Sequence, residues 1–262
     1  MTILVVDSGI GGLSVAREIR TTLPMADMIY VADDAAFPYG DWQEAALTEH
    51  VVALVGDLIG QVAPAAVVIA CNTASTLVLP PLRARHPMPI VGTVPAVKPA
   101  AETTRSGLVS VLGTFGTMQR EYTRALIQEH AGNCHVRLVG SGNLASLAEA
   151  HMRGDKVDDA AIWTEIEPAF VERDGGRTDV VVLACTHYPF LMERFKRLTP
   201  WPVTWIDPAP AIARRADQVL SEKFGPDALR QDAPQRRAAF TSARAPEPAL
   251  AATLARFGLA GE

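Results

Sequence analysis

Two nine-residue stretches constrain this chain more than any other feature. They are Val67-Val68-Ile69-Ala70-Cys71-Asn72-Thr73-Ala74-Ser75 and Val181-Val182-Leu183-Ala184-Cys185-Thr186-His187-Tyr188-Pro189. Each is a short apolar run, rich in β-branched residues, that stops at a cysteine and continues into small polar residues. A run of this length and type reads as a parallel strand buried on both faces. The cysteine then marks the strand's C-terminal end, which is the edge where open α/β sheets bind ligands. A single cysteine at a strand end is most often a small buried hydrophobe. Two in matched settings point instead to one site built from two similar halves.

The segments around them alternate strand and helix. Ile3–Val6 and Met28–Ala32 read as strands, with helical spacing at Leu13, Ala16 and Ile19 and again over Gln43–Val62. A helix near Leu77–Arg85 follows the first cysteine strand, then a short strand Ile90–Gly92. Val94-Pro95-Ala96-Val97-Lys98-Pro99 reads as a connection, its prolines breaking periodicity. The pattern restarts at Leu108–Leu112, with a Gly-containing turn and a helix through Tyr122 and Leu126. Strands are expected at Val136–Val139 and Val203–Ile206, and helices at Ala145–Met152, Ala160–Phe170, Leu191–Leu198 and Ala211–Leu220. Residues 225–236 read as an exposed loop, Ala238–Ser242 as a last edge strand and Pro248–Phe257 as a closing helix. Such alternation is the signature of α/β architecture with mainly parallel sheets. The restart implies two similar domains facing each other across a cleft: residues 1–94 with the returning segment 207–262, and residues 95–206.

Composition narrows the function. A net charge of −5 over 262 residues argues against a dedicated nucleic-acid partner. The most apolar region, Val51–Ala70, is interrupted by Asp57, Gln61 and Pro64, so no membrane span is expected, and the N-terminus has no signal-peptide character. Three distant cysteines supply neither a disulfide framework nor a four-thiolate metal site. A cytoplasmic globular protein with no metal and no cofactor is the expectation.

The turn after the first strand, Asp7-Ser8-Gly9-Ile10-Gly11-Gly12, invites a dinucleotide reading, with Asp33 near the ribose-binding position. The match is partial: Ser14 stands where the third glycine belongs, and Asp7 would repel a phosphate. Two thiols suggest a different task, in which one removes a proton next to a carboxylate and the other returns one to the opposite face. A thiol works as a base only as an accessible thiolate. His187 is placed to hold the proton of Cys185, and Asp7 to serve Cys71 if their strands are neighbours.

Asp7-Ser8-Gly9-Ile10-Gly11-Gly12-Leu13-Ser14-Val15, Pro38-Tyr39-Gly40, Ala70-Cys71-Asn72-Thr73-Ala74-Ser75 and Cys185-Thr186-His187-Tyr188-Pro189 together resemble the glutamate racemase family, within the cofactor-independent aspartate/glutamate racemases. The resemblance runs from residue 3 to about residue 220. It implies Cys71 and Cys185 as the acid/base pair, Cys71 acting on D-glutamate and Cys185 on L-glutamate, with Asp7 and His187 assisting. It implies substrate contacts at Asp7, Ser8, Pro38, Tyr39, Gly40, Asn72, Thr73, Thr114, Thr117, Glu149, Thr186 and His187. It further implies L-/D-glutamate as substrate, D-glutamate supply for peptidoglycan, and a homodimer. The sequence departs from the family after Pro38-Tyr39-Gly40, where Asp41-Trp42-Gln43 replaces a frequent basic residue, and at Gly140-Ser141, where many members have Cys-Pro. A racemase of aspartate or another amino acid from the same superfamily, a dinucleotide-binding dehydrogenase and a non-catalytic gyrase-binding protein are the alternatives.

Overall fold

The computed structural model describes residues 1–225 and 233–261, so residues 226–232 of the expected loop lie outside the described residues. Along the chain run β1 (Thr2–Asp7), α1 (Leu13–Thr22), β2 (Asp27–Ala32), α2 (Glu44–Val62), β3 (Ala66–Ile69), α3 (Asn72–Arg85), β4 (Ile90–Gly92) and α4 (Val97–Thr103). Then come β5 (Leu108–Thr114), α5 (Phe115–Gln119), α6 (Glu121–His130), β6 (His135–Ser141), α7 (Leu144–Arg153) and α8 (Asp159–Ile166). A small hairpin, β7 (Glu172–Arg173) and β8 (Gly176–Arg177), precedes β9 (Val180–Ala184), α9 (Met192–Leu198), β10 (Thr204–Ile206) and α10 (Ala209–Phe224). The chain closes with β11 (Arg236–Phe240), α11 (Pro248–Arg256) and β12 (Ala260–Gly261).

Two sheets, parallel throughout, carry the architecture. One has strand order β12-β11-β2-β1-β3-β4 and the other β10-β9-β5-β6. The echo in the sequence is therefore topological as well. In each sheet the cysteine-bearing strand (β3 or β9) lies beside the strand that ends in a glycine-containing turn (β1 or β5). Connections leave β1 in one direction toward β2 and in the other toward β3, which makes the β1/β3 edge a topological switch point. The β5/β9 edge is its counterpart. Ligands in open α/β sheets bind at such points.

The near-continuous apolar strands are explained by burial on both faces. Along β1, Ile3 and Val5 enter one core cluster while Leu4 and Val6 enter another. Val67 and Ile69 share the second of these faces with Cys71, and Val181 and Leu183 share a face with Cys185. A one-residue register slip would exchange faces for every side chain, so burial itself fixes where each thiol sits.

Helix α2 is 19 residues long and apolar enough to cross a membrane by length and composition, yet Leu47, Val51, Val52, Val55 and Ile59 are buried in the β1/β3 core. Three local readings change. Helix α3 begins at Asn72, immediately after Cys71, rather than near Leu77. The proline-containing connection forms α4, because Pro99 occupies its first turn, where a missing N–H costs no hydrogen bond. β11 is not an edge strand, since β12 pairs outside it.

Candidate active site

Cys71 and Cys185 end their strands at the two switch points and are nearly enclosed, at 6% and 7% exposure. Their surroundings differ. The Cys71 thiol donates to Ser8 Oγ at 3.9 Å, and the residue occupies the N-cap position of α3 without a side-chain capping hydrogen bond. Burial pushes this thiol well above its ordinary range, and the Asp7 carboxylate and a charge on Cys185 push it further, against a smaller opposing effect of the Ala74 backbone N–H. A thiolate on one cysteine thus favours a protonated thiol on the other, the state that a base facing an acid requires.

Asp7 ends β1, with Oδ2 accepting from Gly12 N–H at 2.6 Å. Its carboxyl is pushed up to about 6, chiefly by burial, with His187 opposing. The sign at Cys71 bears on the assisting role expected of Asp7. As a carboxylate it disfavours the thiolate, so only its protonated form removes that opposition.

Around Cys185 the arrangement is a chain of polar contacts. Sγ lies 3.9 Å from His187 Nδ1, His187 Nε2 donates to Glu149 Oε2 at 2.8 Å, and Arg153 Nη2 donates to Glu149 Oε1 at 2.8 Å. Glu149 also accepts from Ile10 N–H at 3.2 Å, tying α7 to the turn after β1. Burial alone would raise the Glu149 carboxyl, but His187 and Arg153 outweigh it and hold it below the usual range. Burial would likewise lower His187, and its contacts with Cys185 and Glu149 outweigh that and hold it well above its ordinary value. An ionised Glu149 can only accept, so Nε2 carries a hydrogen and Nδ1 faces the thiol.

The glycine turn now has a specific cause. A Cβ on Gly11 would stand 2.2 Å from His187 Nδ1 and 2.5 Å from two ring carbons, so only glycine admits the imidazole. Ser14, in the place of a third dinucleotide glycine, donates to the Thr186 carbonyl at 2.9 Å. Asp33 is fully engaged, accepting from Tyr39 OH at 2.6 Å and Thr241 Oγ1 at 2.7 Å and contacting His50 Nε2 at 2.6 Å. Neither half of a dinucleotide site is left.

Between the two halves, Thr73 Oγ1 lies 3.0 Å from Thr114 Oγ1 and 3.1 Å from Thr117 Oγ1, while Thr114 and Thr117 are 3.0 Å apart. Three hydroxyls from two sheets thus converge. Gly40 adjoins them, its Cβ position 3.3 Å from Thr114 Cβ. Pro38 precedes the turn that buries Tyr39. Ser8 is buried against the Cys71 thiol, and Thr186 is buried directly after Cys185 in the chain. Asp7 Oδ1 and both amide atoms of Asn72 are buried with no hydrogen-bond partner. Buried polar atoms almost always have partners, so these three call for one that the protein does not supply.

The structure thus gathers Asp7, Ser8 and Asn72 around Cys71, Thr186, His187 and Glu149 around Cys185, and Gly40 with the three threonines, whereas Tyr39 turns its hydroxyl away to Asp33. Sequence reasoning missed Phe37, whose ring centroid lies 5.4 Å from that of His187, together with Arg153 and Arg120. Arg153 was detectable as the i+4 partner of Glu149 on one helix. Nothing local marks Phe37 or Arg120.

The family model of the Asp/Glu/hydantoin racemases matches residues 13–216. Glutamate racemase of Rhizobium meliloti (strain 1021) is 59% identical over 258 residues, covering 98% of this chain and 92% of that protein. The Escherichia coli glutamate racemase structure in complex with L-glutamate and activator UDP-MurNAc-ala aligns with TM-score 0.89 at 41% identity, covering 99% of this chain and 96% of that one. Glutamate racemase isoform RacE1 from Bacillus anthracis aligns with TM-score 0.85 at 27% identity, over 100% and 96%. With the family model matching most of its length and such relatives matching nearly all of it, the chain belongs to the Asp/Glu/hydantoin racemase family.

Proposed function

We propose that the protein is a cofactor-independent glutamate racemase, interconverting L- and D-glutamate by proton transfer at Cα between two thiols. The observation that carries this reading is the pair of enclosed cysteines at equivalent switch points, with unpartnered polar atoms of Asp7 and Asn72 beside them. The 59% identity to a glutamate racemase supports the substrate.

In the direction from L-glutamate, the Cys185 thiolate takes the Cα proton. The electron pair of the broken C–H bond spreads into the α-carboxylate, and the Cys71 thiol delivers its own proton to the opposite face. The reverse direction exchanges the two roles. His187, held by Glu149, stabilises the Cys185 thiolate, and Asp7 holds a proton near Cys71. Ser8, Asn72 and Thr186 donate to the carboxylate on which charge develops, and preorganised donors of this kind stabilise such charge most effectively where water is excluded. Thr73, Thr114 and Thr117, with Pro38-Tyr39-Gly40, take the second carboxylate. The cysteines stand on segments 1–94 with 207–262 and 95–206, which we treat as two domains, and parting of these admits substrate. The proposal extends to D-glutamate supply for peptidoglycan, in the cytoplasm, by a homodimer.

The test is incubation with L-glutamate in D₂O under reducing conditions, following optical rotation and α-deuterium by NMR. Loss of rotation with deuterium at Cα in both enantiomers is expected; no exchange would sink the reading. The matched family also spans aspartate racemases, so aspartate run in parallel decides between substrates. Turnover of aspartate alone would replace glutamate with its shorter homologue.

A further inference from the structure

Arg120 stands between α5 and α6 and is only 7% exposed. Its Nη1 donates to Glu44 Oε1, at the first residue of α2 on the other sheet's side of the cleft. Its Nε and Nη2 are buried with no partner. A half-satisfied buried guanidinium is costly, and a site keeps one where an anion nearby gains from it.

Gly116 relates the guanidinium to the threonine cluster. A Cβ there would stand 3.6 Å from Arg120 Nη2, 3.5 Å from Thr73 Cγ2 and 3.2 Å from the Gly40 carbonyl oxygen. The guanidinium therefore lies across the Gly116 position from Thr73 and Gly40. Its free donors are sealed from solvent, so its effect reaches the cleft as a field and not as a contact.

We propose that Arg120 is a positioning residue for the substrate's second carboxylate, a fixed cation behind the Thr73, Thr114 and Thr117 hydroxyls whose charge is partly offset by Glu44. The proposal rests on the glutamate reading above. Glu44 is 62% exposed, so solvent screens its charge while the guanidinium acts through a drier interior. The cation then dominates inside the cleft. The pair would also serve as a plain latch between α2 and the α5–α6 corner. The two roles differ in sign: a latch weakens when either partner is removed, whereas a field strengthens when Glu44 loses its charge.

The experiment measures kcat and KM for glutamate in Glu44→Gln, Arg120→Met and Arg120→Lys, with thermal melting as a check on folding. Glu44→Gln should lower KM by about two- to threefold with kcat within twofold. Arg120→Met should raise KM by roughly tenfold with kcat within about threefold, and Arg120→Lys should restore most of that loss. A KM that rises or stays unchanged in Glu44→Gln overturns the proposal, and this exposed substitution decides the matter even if Arg120→Met does not fold. Absence of glutamate turnover in the unsubstituted protein would instead overturn the functional reading on which the proposal stands.

Discussion

The Cys71 and Cys185 halves share strand order, strand burial and the position of the thiol, yet they solve the same chemical problem differently. Cys185 faces an imidazole cation held by a carboxylate that is held in turn by Arg153. Cys71 faces a hydroxyl and a buried carboxyl, and its electrostatic surroundings disfavour the thiolate. Repeated backbone geometry thus delivers two thiols to one place, while unlike neighbours surround them. The two directions of a racemase must have equal kcat/KM, because enantiomers have equal free energy, so the asymmetry has to surface in individual steps.

The strongest way to break the comparison is to remove one thiol at a time. Cys71→Ser and Cys185→Ser should each lower racemisation by at least ~10³-fold, since one thiol cannot serve both faces. The remaining thiol should still exchange the Cα proton of one enantiomer: L-glutamate in Cys71→Ser and D-glutamate in Cys185→Ser. Exchange of both enantiomers by either variant, followed by NMR in D₂O, would dissolve the assignment of faces.

Stability against pH isolates the Cys71 side. The Asp7 carboxyl rises from 3.8 to about 6 on folding, so the native state holds its proton longer than the unfolded chain. Its contribution is fully present below the ordinary carboxylate range and is lost as pH rises through about 6, amounting to about 3 kcal/mol. Asp7→Asn should lack this loss and gain on the unsubstituted protein between pH 4.5 and 7.5 in denaturant unfolding. Parallel curves for the two proteins would show that Asp7 is not buried against its charge.

A smaller effect sharpens the Cys185 side. Glu149→Gln keeps the hydrogen-bonding shape but removes the charge that, after Cys185, does most to raise His187. It should lower kcat/KM by about 30-fold, or about 2 kcal/mol, equally in both directions. The primary isotope effect of α-deuterated L-glutamate should grow more than that of the D form, because proton removal by Cys185 becomes more limiting. Growth on the D side instead would place Glu149 behind Cys71.

Much of this site was legible in the sequence because strand burial and strand-end chemistry are local. An apolar run ending at Cys71 or Cys185 states both the strand and its edge, and motif resemblance carried Asp7, Asn72, Thr73, Thr186 and His187 to the same cleft. The start of α3 was misplaced because Asn72, Thr73 and Ser75 are weak helix formers, and their helical state follows from packing at the strand end. The helix at Val97–Thr103 was missed because two prolines look like breakers unless they fall before or within a first turn.

By itself the sequence determined the alternation of strands and helices, the two thiols and the glycine turn, since each depends on neighbours within a few residues. Tertiary structure decided what those parts touch. Glu149 meets Ile10 across 139 positions, Arg120 meets Glu44 across 76, and Asp33 is taken by Thr241 across 208. Such contacts depend on how two sheets close over each other, and their strength comes from the water excluded there. No periodicity along the chain encodes that exclusion, which is why Gly11 reads as a phosphate turn in sequence and as the seat of His187 in the folded protein.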